Sequence, residues 1–139
     1  MNGVKIEKIH SVTNVDSRGE TFELFKGFPG MQVTYYNRKQ GVKFACHFHK
    51  GEDPSKDPEL FFLLQGKVKV VAENGKTQEK EEIIVEERNM ITIEKGVYHE
   101  FEALSDVSFL EYRSTLFDER KSDCFPKEEY LDYLQTFTV

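Results

Sequence analysis

The sequence predicts an all-β domain closed by one short C-terminal helix. Two observations carry this. Turn punctuation recurs at short intervals (DSRG at 16–19, GFPG at 27–30, KQG at 39–41, GEDPSKDP at 51–58, ENG at 73–75, KG at 95–96 and SD at 105–106). Between these turns lie short runs rich in Val, Ile, Phe, Tyr and Thr, residues that suit a pleated, half-buried surface. Strands are expected over 21–26, 31–37, 42–49, 59–65, 67–72, 82–86, 90–93, 98–103 and 107–113, with a further strand-like segment near His10 and a hairpin turn at ENG. The tail alone reads as a helix, over 126–137. Pro126 stands in its first turn, acidic residues follow, and Tyr130, Tyr133, Leu134 and Phe137 fall at helical spacing. This helix is expected to pack across the barrel.

Length and composition set bounds on function. The 139 residues suit one domain, 1–139, with 38% hydrophobic and 32% charged residues and bulky area from 12 Phe and 6 Tyr without Trp. A net charge of −6 supplies no basic stripe for a phosphate backbone, so nucleic acid is not an expected partner. No stretch has the length and apolarity of a membrane span or signal peptide, which makes a cytoplasmic location the expectation. Cys46 and Cys124 are expected to stay reduced, as small buried hydrophobes, with no disulfide.

Strand alternation places Lys43, Ala45, His47 and His49 on one face of 42–49, and Val42, Phe44, Cys46 and Phe48 on the other. In ELFFLLQGKVKVV, apolar residues fall on both faces: Phe61 and Leu63 on one, Leu60, Phe62, Leu64, Val68 and Val70 on the other. The second apolar face needs cover, from the helix or from a second copy of the chain, and a homodimer is the expected state. The acidic stretch EKEEIIVEER reads as a hairpin with a solvated face.

Chemistry concentrates in His47, His49, Glu59 and His99. Residues two apart on a strand project to the same side, so His47 and His49 reach one point, and a carboxylate heads the next strand. A His-x-His pair alone is commonly a surface or core pair; four matching positions in an all-β chain point instead to one divalent metal ion. The mixed imidazole and carboxylate shell accepts Zn, Fe, Mn, Ni or Co. Glu52, Asp53 and Asp57 in the loop before Glu59 are rival carboxylates. The same site without an ion leaves His47 or His49 as a proton-transfer group. His10 lies outside the pattern and receives no function.

These residues match a family pattern. Gly41-VKFAC-His47-Phe-His49 with Glu59-LFFLLQ-Gly66 resembles the first box of cupins, and Gly96-VY-His99 resembles the end of the second. The chain departs from that pattern in the longer gap between His49 and Glu59 and in Glu94, where cupins usually carry Pro. The resemblance implies the cupin double-stranded β-helix, a jelly-roll barrel. DSRGETFE from Asp16, QVTYY from Gln32 and EYRSTLFD from Glu111, with Asp123 after it, look like the RmlC-like, nucleotide-sugar branch: dTDP-4-dehydrorhamnose 3,5-epimerases, dTDP-sugar 3,4-ketoisomerases and the cupin domain of capsular polysaccharide synthesis enzymes.

That branch implies an isomerase or epimerase acting on a keto sugar or nucleotide sugar by proton abstraction. His47 or His49 would be the base and Tyr36 or Tyr35 the acid. Lys43 and Arg113 are candidates for holding substrate, with a surface ion pair or turn role the alternative for Arg113 and Asp118. Cupins also include Fe- or Mn-dependent dioxygenases and non-catalytic sugar- or metabolite-binding modules, so fold alone does not select the chemistry.

Overall fold

The computed structural model describes residues 1–12, 18–118, 120 and 122–137, and the strands fall where the turn punctuation leaves room for them. They are β1 (Val4–Lys8), β2 (Gln32–Arg38), β3 (Lys43–His47), β4 (Glu59–Gln65), β5 (Val68–Asn74), β6 (Glu79–Val85), β7 (Asn89–Ile93), β8 (Val97–Ala103) and β9 (Val107–Arg113). A 3-10 turn at Pro54–Lys56 separates β3 from β4, and another at Lys127–Glu129 leads into α1 (Tyr130–Gln135). Two antiparallel sheets, ordered β1-β7-β4-β9-β2 and β3-β8-β5-β6, pack face to face as a jelly roll. Among the described residues no helix is long and apolar enough to cross a membrane.

The core lies between the sheets. Phe61, Leu63, Ile91, Ile93 and Phe109 come from the five-stranded sheet, and Val68, Val70, Val85 and Phe101 from the other. Val68 and Val70 therefore face the same interior as Phe61, not the opposite side as expected, because the chain changes sheet at Gly66. That glycine has φ +92, and a Cβ there would lie 2.3 Å from the Asp106 carbonyl oxygen, which closes the turn to any larger residue. At the other hairpin, Asn74 Oδ1 accepts from the backbone N–H groups of Lys76 and Thr77 at 3.1 and 3.3 Å. The turn thus sits at 75–78, just beyond the expected ENG, and β6 begins three residues before the expected 82.

Further expectations are corrected. The stretch 21–26 forms no strand: Phe25 takes φ 58 and stacks on Tyr112 at 4.8 Å, while the Tyr112 hydroxyl donates to the Phe28 carbonyl at 3.2 Å. Through these Tyr112 contacts the segment covers part of the outer face of the five-stranded sheet, a task assigned to the helix or a second copy. The helix lies instead on the other sheet, where Tyr130 packs with Phe48 and Tyr98. Asp16 and Ser17 of the expected DSRG turn are outside the described residues.

Another correction concerns 42–49. From Phe44 to His47 the chain takes three steps while its partner takes two, from Phe101 to His99. This bulge, with Ala45 at φ 53, breaks the alternation. Phe44 and His47 consequently both face the interior, Phe44 against Phe101 at 5.4 Å, whereas Phe48 faces outward against Tyr130 at 4.9 Å. Cys46 and Cys124 are free but exposed, not buried.

Phe109 meets Tyr36, Phe44, Phe61 and Phe101 at ring distances of 5.3 to 6.4 Å. Phe109→Ala is expected to lower unfolding free energy by about 3–5 kcal/mol in urea titration; a loss under about 1 kcal/mol would show that these rings do not form one packed unit.

Candidate functional site

The bulge that turns His47 inward sets it opposite His99 in the β3–β8 pairing. His49 follows two residues beyond the end of β3, and Glu59 projects from the start of β4 in the facing sheet. One donor atom from each of these four residues lies within 4.8 Å of the others. The ring centroids of His47, His49 and His99 stand 4.4, 4.9 and 5.4 Å apart. His49, Glu59 and His99 are almost completely buried.

Glu59 organises the cluster. Its Oε1 lies 2.5 Å from His49 Nε2 and 3.2 Å from His99 Nε2. Burial opposes charge on Glu59, but the contacts with His49 and His99 outweigh it and hold the carboxyl well below its ordinary range. Burial likewise opposes charge on His49, yet its contacts with Cys124, Glu59 and the Asp123 carbonyl push it up to about 10. His47 goes the other way, down to about 3, through burial and the neighbouring His99 and His49. His99 Nδ1 lies 3.0 Å from the Val97 carbonyl, which turns its Nε2 toward Glu59 and the cluster. His47 Nε2 is buried without a hydrogen-bond partner.

The C-terminal segment closes the back. His49 Nδ1–H donates to the carbonyl of Asp123. The Asp123 carboxylate accepts from the backbone N–H groups of Lys50, Gly51 and Asp53 at 2.8, 2.9 and 3.2 Å. Phe48 and Phe125 pair through their backbones beside it.

On the open side a cavity is lined by Tyr36, Phe44, His47, Lys56, Glu111 and Arg113. Tyr36 stacks on Phe109 and lies under Arg38 at 4.8 Å; burial and the negative charge of Glu111 and Glu59 hold its hydroxyl firmly protonated. Glu111 Oε1 meets Arg113 Nη2 at 3.2 Å and Lys56 Nζ at 3.9 Å. Burial, then Glu59, pushes Glu111 up to about 7.

The structure brings His47, Glu59, His99, Tyr36 and Arg113 together, with His49 behind them. Lys43 is elsewhere: the bulge leaves it on the outer face of the four-stranded sheet, beside Lys69, Glu100 and Glu102. Tyr35 points outward, 60% exposed. Of the rival carboxylates, Glu52 is exposed, Asp53 Oδ1 caps Ser55 at 2.9 Å, and Asp57 pairs with Lys95 at 3.6 Å. Asp118 pairs with Arg120 at 3.2 Å, away from the buried Arg113. His10 is exposed and apart.

Sequence reasoning missed Lys56, Glu111 and the anchoring role of Asp123. Glu111 left a usable signal, since it stands two residues from both Phe109 and Arg113 and shares their face. Lys56 left none, because it depends on how an irregular loop folds.

No protein-family model and no curated protein sequence matches the chain. Solved structures do. A 3,4-ketoisomerase from Helicobacter canadensis superimposes with TM-score 0.75 at 19% identity, covering 95% of this chain and 97% of that one. A sugar 3,4-ketoisomerase from Thermoanaerobacterium thermosaccharolyticum, in complex with TDP, reaches 0.77 at 18% identity over 100% and 99%. A dTDP-6-deoxy-D-glucose-3,5-epimerase from Legionella pneumophila gives 0.67 at 20% identity over 87% and 71%. The architecture is therefore that of a cupin jelly roll. Within that class, the fold is the RmlC-like one shared by these sugar ketoisomerases and epimerases.

Glu111 sets a pH dependence. Its folded-state value of about 7 lies above the ordinary carboxylate value, so its contribution to stability is complete at acid pH and is lost as pH rises toward 7. In chelator-treated protein, wild type should lose on the order of 2 kcal/mol relative to Glu111→Gln between pH 4.5 and 7. Parallel stability curves for the two proteins would refute the assignment.

Proposed function

We propose that this protein is an isomerase or epimerase that moves a proton on the carbon beside the ketone of a keto sugar, carried as a nucleotide sugar. The observation that carries this reading is the cavity, where groups from two facing sheets meet over a His/Glu centre. The fold supports it: solved neighbours are described as 3,4-ketoisomerases and 3,5-epimerases, one of them in complex with TDP-4-keto-6-deoxyglucose.

His47 is the base, since it alone of the three clustered imidazoles lines the cavity and is held neutral. The C–H bond breaks, its electron pair passes onto the carbonyl oxygen to give an enolate, and the proton goes to the imidazole. Tyr36, from the opposing sheet, carries the proton returned to the intermediate. His49 does not reach the cavity; with one nitrogen on Asp123 and the other on Glu59, it orients the centre.

The four clustered residues also fit one divalent cation of the Zn, Fe, Mn, Ni or Co group. His47 Nε2 is buried without a partner, His49 Nε2 and His99 Nε2 both face Glu59, and that fourth donor is an ionised carboxylate. His47, His49, Glu59 and His99 would hold it. When bound, such an ion polarises a carbonyl and stabilises an enolate. Proton transfer then falls to the wall groups Tyr36 and Glu111, because His47 serves as a ligand. The same donor set favours, as a second reading, a dioxygenase, which oxygen uptake by the Fe(II)-loaded protein would reveal.

Elemental analysis is expected to find about one cation per chain, and His99→Ala to remove it. With keto nucleotide sugars, solvent deuterium should enter the carbon beside the ketone, and His47→Gln should slow this about 10²–10⁴-fold. No exchange with any keto sugar tried would overturn the isomerase reading; full exchange after chelation would show that His47 acts as the base without a cation.

We also propose a homodimer. Met31, Val33 and Tyr35, at the edge of the five-stranded sheet, remain 56–67% exposed. A sedimentation mass equal to one chain would remove that proposal.

A further inference from the structure

The long loop between His49 and Glu59 is folded around a single lysine. Three backbone N–H groups at its start are held by Asp123. Asp53 accepts from both the N–H and the hydroxyl of Ser55, at 2.9 and 2.8 Å, and Arg113 Nη1 donates to that hydroxyl at 3.3 Å. At the end of this construction Lys56, 5% exposed, sends its ammonium group into the cavity. Burying an ammonium is costly unless it is paired, and this one is paired loosely: Glu59 Oε2 lies 3.6 Å away and Glu111 Oε1 3.9 Å, both beyond hydrogen-bond length. Glu111 has a nearer partner in Arg113 at 3.2 Å, and Glu59 in His49 at 2.5 Å.

The placement is directional. Glu59 presents Oε1 to the imidazoles and Oε2 to Lys56, so the His/Glu centre and the ammonium occupy neighbouring positions on one wall. Two adjacent recognition points suit two adjacent oxygens. We infer that Lys56 is a further catalytic residue that donates a hydrogen bond to the second oxygen of an α-hydroxy ketone, so that the substrate class is one whose intermediate is an enediolate. This rests on the isomerase reading and sharpens it: moving a ketone to the neighbouring carbon passes through vicinal oxygens, whereas simple epimerisation needs one. No bond forms to Lys56; its N–H donors hold the charge that develops as the C–H bond breaks.

The test uses calorimetric titration of the purified protein with glycolamide, which carries two vicinal oxygens, and with acetamide, which carries one. Wild type should bind glycolamide at least about tenfold more tightly than acetamide. Lys56→Met should erase that difference while acetamide binding and metal content stay unchanged. Lys56→Met/Glu111→Gln, which removes one of the two carboxylates that face the ammonium, gives the same comparison if the single variant fails to fold. Retention of the preference in either folded variant, or its absence in wild type, overturns the inference. So does borohydride trapping of a covalent adduct with a keto sugar on Lys56. If wild type shows the preference but never exchanges deuterium with a keto sugar, the isomerase reading fails and the Lys56 site stands.

Discussion

A carboxylate buried between two sheets is the constraint on which the site depends. Glu59 is 2% exposed at the start of a strand whose next four residues are apolar and buried, so its charge must be met by groups close at hand. Two imidazoles meet one oxygen and an ammonium approaches the other. Each partner in turn requires a device of its own. A bulge supplies the turn of β3, the Asp123 carbonyl orients His49, and a tightly bonded loop carries Lys56. Remove the carboxylate and these devices have nothing to converge on.

The charge arrangement also divides the interior by chemistry. Toward the barrel centre the space is filled by the aromatic group around Phe109. Toward the opening it is lined by paired ions whose carboxyls differ in behaviour: Glu59 is held ionised and Glu111 is pushed toward neutrality. Environments that drive neighbouring groups apart in this way are the means by which a single cavity offers both an acid and a base near neutral pH.

Most of the architecture was legible because strands alternate with turn chemistry, and residues such as Gly66 and Asn74 have local reasons to turn. β4 and β9 fall at the expected bounds. What failed was anything dependent on a one-residue irregularity or on packing at a distance. The bulge between Phe44 and His47 reversed the side on which Phe44 lies and sent Lys43 outside, and no periodicity announces a bulge. The segment through Phe25 has strand composition but is used as a cover. In the site, His47, Glu59 and His99 stood at recognisable spacings, whereas Lys56 and Asp123 act through loop and tail geometry that pattern does not encode.

The Asp123 tie also bears on the order in which the molecule is completed. Among the described residues all nine strands are complete by Arg113, so both sheets precede the segment that carries Asp123. Without that segment His49 lacks the carbonyl that orients it, and the loop bearing Lys56 lacks the carboxylate that gathers its backbone. A chain cut before residue 123 would keep the nine strands but lack the groups that orient His49 and gather the Lys56 loop.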